Sequence, residues 1–231
     1  MSSPDLVALM LADGRLPTGG HTQSAGLEPA VRAGLGADGK QLADVAAYAR
    51  DRLRTVTRVE AAVAVLTRYL TLTATRSGLV ASGLDLVEGA WAARTPCQVL
   101  RAASRRQGRV YLRLAARVWP EVLRYLEENS EIARPIVVGV IGAVTGMSAE
   151  QIARLVAYDD VQTVVAASLK LLPVDPADAA TWLAGMHDDI ERLVSDVAPL
   201  TDIEKIPANG APLIDLFAQN HATERMRLFH A

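Results

Sequence analysis

Apolar positions recur at three- and four-residue spacing through most of the chain, the pattern of helices that bury one face. Ser3-Pro4-Asp5 reads as an N-cap, a first-turn proline and an acid, and Leu6, Leu9 and Met10 give that helix its apolar face. Gly14 ends it. Leu27, Ala30 and Val31 mark a short second helix that stops in the glycine-rich stretch Gly34 to Gly39. From about Gln41 to Leu70 the spacing predicts one long helix, with Leu42, Val45, Ala46 and Leu53 on one side. Thr71, Thr73 and Thr75, then Gly78 and Gly83, mark a break. A helix from about Leu84 to Arg94 is closed by Thr95-Pro96, the next runs from Val99 to Trp119, and Glu121 to Asn129 reads as a short polar helix. Pro135 to Val144 would suit a buried strand, but no partner strand is in sight, so a buried helix is expected. Ser148-x-x-Gln151 is a capping box opening a helix to Leu172. Asp175-Pro176 repeats the N-cap and proline device for a helix to about Val197. Ala198 to Pro212 is loop-like, and a last helix runs from Leu213 to about Arg225. No repeat period or disordered linker divides the chain. The expectation is all-α: one compact domain, residues 1–231, of about eight to ten helices.

Composition agrees. Half of the residues are hydrophobic but only 4% are aromatic, and alanine and leucine carry the apolar content. That balance favours close-packed helices over a β-sandwich. The single cysteine, Cys97, makes an intramolecular disulfide impossible and points to a reduced compartment. The start lacks the basic flank of a signal peptide, and the longest apolar run, Pro135 to Met147, is too short to span a bilayer. A soluble cytoplasmic protein is expected, with no membrane partner.

Candidate chemistry changes the picture little. Gly34 to Gln41 nearly matches a phosphate-binding loop, G-x-x-x-x-G-K-[ST], but Gln41 replaces the magnesium-holding hydroxyl and no strand precedes it. A helix-to-helix turn is the better reading. His21, His187, His221 and His230 include no pair at i, i+4 spacing, and His187-Asp188-Asp189 reads as a solvated helix face. There is no G-x-S-x-G elbow and no cysteine–histidine arrangement. No catalytic residue, metal site or resident cofactor is expected, although a helical enzyme with a dispersed site stays open.

Charge patterning says more. Between Glu88 and Glu121 stand seven arginines (94, 101, 105, 106, 109, 113 and 117) and no acid. Five of them, from Arg101 to Arg117, are four residues apart, so a helix would carry them as one ridge at a cost of a few tenths of a kcal/mol per like-charged pair. An acidic partner would relieve that repulsion. So would acids elsewhere in the fold, and Asp159 to Glu204 supplies ten acids against two bases. The ridge also allows a second reading, an all-α nucleic-acid-binding regulator. The net charge of −2, the scarcity of aromatics and the lack of a helix-turn-helix pattern weigh against it.

The most elaborate stretch joins the first two helices: Leu16-Pro17-Thr18-Gly19-Gly20-His21-Thr22-Gln23-Ser24-Ala25-Gly26-Leu27-Glu28. Ser24 is a candidate N-cap, and Glu28 falls in a first turn, where a carboxylate favours the helix dipole. The stretch resembles the opening motif of the urease accessory protein family UreF, L-P-x-G-x-x-x-x-S-x-G-L-E. Ser104-Arg105-Arg106-Gln107-Gly108-Arg109 resembles that family's S-x-x-Q-G-R signature, Lys170-Leu171-Leu172-Pro173 its R-L-x-P segment, and Arg227-Leu228-Phe229-His230-Ala231 its R-L-F-x-S tail. Gln23 and Ala231 depart from the residues usual at those places. The resemblance implies a non-catalytic helical accessory protein that homodimerises, joins a UreD/UreH-type partner and the UreG GTPase, and takes part in nickel delivery to apo-urease. It also implies that Pro17, Gly19, Ser24, Gly26, Leu27, Glu28, Ser104 to Arg109, Lys170, Arg227, Leu228 and Phe229 serve partner binding. For the tail, the resemblance implies a segment that is mobile in the free chain and orders on the UreD-type partner, so that deleting Arg227 to Ala231 would spare the melting temperature. The alternative expectation is that Leu228 and Phe229 fold back on the chain's own core.

Overall fold

The computed structural model describes residues 3–35, 42–74 and 80–229. Every regular element among these residues is helical, with no strand. The helices are α1 (Pro4–Ala12), α2 (Leu27–Arg32), α3 (Ala43–Arg54), α4 (Val56–Ala74), α5 (Val80–Arg94), α6 (Gln98–Val118), α7 (Arg134–Thr145), α8 (Ala149–Leu171), α9 (Pro176–Ala184), α10 (His187–Val197) and α11 (Pro212–Thr223). Short 3₁₀ turns occupy Gly20–Thr22, Pro120–Arg124 and Ile203–Lys205. None of the described helices is long and apolar enough to cross a membrane.

The centre is α4 against α7 and α8. Along α4 the run Ala61–Leu66 is buried on every side, as is Ile136–Gly142 of α7. Continuous apolar runs of this kind need protein on all faces, so these two helices occupy the middle and the amphipathic ones surround them. The strand-like stretch of valines and isoleucines is therefore a helix. Pro135 sits in its first turn, and Gly146 closes its end, with the Met147 N–H returning to the Gly142 carbonyl at 2.9 Å. The capping box at Ser148 is complete: its hydroxyl accepts from the Gln151 N–H, and the Gln151 side chain accepts from the Ser148 N–H.

Three expectations need correction. The long helix from Gln41 divides at Thr55, whose backbone leaves the helical region and whose hydroxyl donates to the Asp51 carbonyl at 2.7 Å. The stretch from Asp175 to Val197 divides at Gly185-Met186, where Met186 turns fully into the core. The polar segment after Pro120 is a 3₁₀ turn rather than an α-helix, and its Val122 is buried. In all three, hydrophobic spacing runs straight through the interruption.

Candidate functional site

The opening motif is built around tight backbone turns. Gly19 and Gly26 both have positive φ, +77° and +78°. A Cβ on Gly26 would also lie 2.7 Å from the Tyr48 hydroxyl, which donates to the Ala25 carbonyl at 2.8 Å. Burial pushes that phenol up to about 12, so it stays a donor. Pro17 is exposed and Leu27 is fully buried. Ser24 does not occupy the N-cap position, which falls to Gly26. Its buried hydroxyl instead accepts from the Glu28 N–H at 3.3 Å, serving the same helix start from further out.

Glu28 has a larger role than a first-turn acid. Its side chain is 1% exposed. Oε1 accepts from the Leu228 N–H at 2.9 Å and from Arg32 at 2.6 Å; Oε2 accepts from the Phe229 N–H at 2.9 Å and faces His221 Nε2 at 3.0 Å. Burial alone would raise this carboxyl, but the two backbone donors and His221 outweigh it and hold it below the ordinary value of 4.5. An ionised carboxylate only accepts, so His221 Nε2 carries the hydrogen. The tail thus closes back onto the opening motif. Phe229 is buried, while Leu228 and Met226 stay exposed at 60% and 82%. Lys170 spans the same place, with Nζ 3.4 Å from the His21 carbonyl and 5.2 Å from the centre of the Phe229 ring.

The arginine ridge runs along α6, but the acids of Asp159 to Glu204 do not neutralise it. Arg105 pairs with Glu88 at 2.8 Å and lies over the Trp91 ring, and Arg109 pairs with Glu131. Arg101 donates to the carbonyls of Thr95 and Pro96. Ser104 is buried, donating to Glu60 at 3.2 Å and accepting from the Arg134 N–H at 3.3 Å. A Cβ on Gly108 would lie 2.0 Å from the Ile132 carbonyl oxygen, so only glycine lets the segment before α7 cross here. Within this signature, Arg106 and Gln107 are the residues that turn to a cleft.

That cleft, about 660 Å³, is bounded by the opening loop (Thr18, Gly19, Thr22, Gln23, Gly26), one face of α6 (Gln98, Arg106, Gln107, Val110) and the C-terminal elements (Ala218, His221, Arg227). Gln23, Gly26, Leu100 and Gln107 also line a second, inner cavity of about 90 Å³. The inner cavity is walled by charge that sequence reasoning missed. Arg52 holds Asp160 through two bonds of 2.9 and 2.6 Å, with Thr57 donating to the same carboxylate at 2.6 Å. Arg134 bridges Asp159 at 2.6 Å and Glu60 at 3.3 Å. Burial would raise Asp160, but Arg52 overrides it and lowers its pKa; at Asp159 burial prevails over Arg134 and raises it. The acids of the second half that engage here serve Arg52 and Arg134, and others on α10 serve Arg50 and Arg58. The Gly34-to-Gln41 stretch falls mostly outside the described residues, as do His230 and Ala231. Among the described residues no group of three metal-ligating side chains occurs.

Parts of three signatures, the opening motif, the α6 segment and the tail, therefore meet around one cleft. Comparison with known proteins explains why they travel together. The UreF family model matches residues 40–187. A urease accessory protein UreF from Mycolicibacterium vanbaalenii is 35% identical over 223 residues, 96% of each chain. Those of Mycobacterium sp. (strain JLS) and Mycobacterium marinum are 36% and 32% identical, each over 96% of both chains. The chain belongs to the UreF family. UreF proteins are accessory proteins rather than enzymes. The family model does not reach the opening motif or the tail, yet the relatives' alignments extend over nearly the whole chain.

Proposed function

We propose that this UreF-family chain acts in the cytoplasm as a homodimeric bridge between a UreD/UreH-type partner and the UreG GTPase while nickel, as cargo, reaches apo-urease. The observation that carries the reading is the convergence of the opening loop, Arg106-Gln107 and Arg227 of the tail around one cleft. A chain needing these segments only for stability has no use for an exposed Arg106 at the cleft, nor for exposed Met226 and Leu228 on either side of cleft-lining Arg227. Energy and metal belong to the partners in this reading, and the chain supplies shape and charge. The nucleic-acid alternative loses ground, because Glu88 and Glu131 interrupt the ridge.

Co-expression with tagged UreD and UreG tests the proposal. The chain should co-purify with both, and urease activation should depend on it. Failure to capture either partner from cells that hold active urease would overturn it.

A further inference from the structure

The charge around the cleft is one-sided. Among the described residues lining it none is acidic, yet Arg106 and Arg227 both border it. Arg105 and Arg109, on either side of Arg106, are ion-paired; neither Arg106 nor Arg227 meets a carboxylate among the described residues. His221, the remaining basic group, is committed to Glu28 beneath the floor. Two guanidinium groups at one cavity repel each other until an anion lies between them, and a carboxylate matches each fork with paired hydrogen bonds. Val99, Leu100 and Val110 supply an apolar wall, and Gln98 and Gln107 supply amides. At about 660 Å³ the cleft is far larger than a single small anion and suits several side chains of a peptide.

We propose that this cleft receives an acidic segment of a partner protein, its carboxylates held by Arg106 and Arg227 and its apolar side chains set against α6. The inference rests on the accessory role proposed above and names the chemistry of the partner at that site.

Fluorescence anisotropy on the full chain tests it, using a short fluorescein-labelled peptide of alternating glutamate and leucine. A glutamine–leucine peptide and a single-stranded oligodeoxynucleotide serve as comparisons. The acidic peptide should bind best, and Arg106→Gln with Arg227→Gln should weaken it by about tenfold or more. Arg113→Gln with Arg117→Gln, exposed on α6 but outside the cleft, should change it by less than about twofold. Equal binding of the neutral peptide, preference for the oligonucleotide, or equal loss in both double variants would overturn the inference. Capture of UreD and UreG is scored separately on the same proteins. Capture that survives when the peptide fails removes this inference and leaves the accessory role intact. Absence of capture by the unaltered chain removes the role itself.

Discussion

Glu28 shows how much one side chain can hold. It joins α2, α11 and the tail, and each of its donors would lose its acceptor if the carboxylate went. Glu28→Gln keeps the shape but leaves only one accepting oxygen, so a cost of about 2–4 kcal/mol is expected, within the range for breaking a buried charged contact. Hydrogen exchange at the Leu228 and Phe229 amides should quicken in the variant; unchanged protection would remove Glu28 from this role. The pH dependence has a definite sign. The folded pKa of Glu28 is lowered, so its contribution is present above the ordinary value of 4.5 and is lost as pH falls through the folded value. Asp160 behaves alike, whereas Asp159, with a raised folded pKa, opposes them and becomes less costly on protonation. The stability gap between the unaltered chain and Glu28→Gln should therefore be flat above the ordinary carboxylate value and narrow as pH falls through the folded value. Denaturant titrations at several pH values read this directly, and a gap unaffected by acid would refute it. Gly26 makes a second residue-scale case. Gly26→Ala meets both a positive φ and the Tyr48 hydroxyl, and should cost about 2–3 kcal/mol, while Gly20→Ala, with nothing within 4 Å, should cost little. Equal melting temperatures for the two variants would contradict the packing described.

At the scale of elements, α6 separates what sequence can say from what it cannot. Its length, its arginine ridge and its stop at Pro120 are all local properties, and all were legible. The capping box of α8 and the proline starts of α1 and α9 were legible for the same reason. The division of α3 from α4 was not, because it answers to Asp160, a residue more than a hundred positions away that draws in Arg52 and Thr57 from either side of the break. Which arginine faces what was equally hidden. Four-residue spacing makes Arg101 through Arg117 look alike, yet the fold gives Arg105 a carboxylate and an indole and gives Arg106 open water. The roles can be told apart by substitution. Arg105→Ala strands Glu88, which also accepts from the Ala133 N–H at 3.1 Å, and should cost about 1–2 kcal/mol. Arg106→Ala should stay within about 0.5 kcal/mol in stability while reducing partner capture. Chemical denaturation of the two proteins checks the contrast; a larger loss for Arg106→Ala would reverse the assignment.

At the scale of the whole molecule, the two ends of the chain close on each other. Residues near 28 and 228 share a carboxylate, Lys170 of α8 braces the junction, and α11 delivers His221 to it. Of the two expectations for the tail, the fold-back arrangement is the one present. Phe229 is 3% exposed, and an apolar tail with a buried carboxylate available gains more from the chain itself than from water. No pattern in the sequence could foretell this, since Glu28 and its tail donors lie two hundred residues apart. The arrangement splits the tail into two parts with different work. Phe229 anchors, while Leu228 and Met226, on either side of cleft-lining Arg227, stay exposed. Deleting Arg227 to Ala231 should therefore lower stability as well as partner binding. Losing the Phe229 anchor forfeits about 1.5–3 kcal/mol of apolar burial, and Glu28 loses two backbone donors at a cost of about 1–3 kcal/mol. The melting temperature of the truncated chain should fall measurably. Leu228→Ala, by contrast, removes an exposed side chain and should leave the melting temperature within about 1–2 °C while weakening capture of the UreD-type partner. Differential scanning calorimetry paired with pull-down separates the cases. A truncated chain that melts unchanged would show that the tail is not anchored by Glu28 in solution, and Leu228→Ala protein that melts early yet binds normally would assign Leu228 to the core.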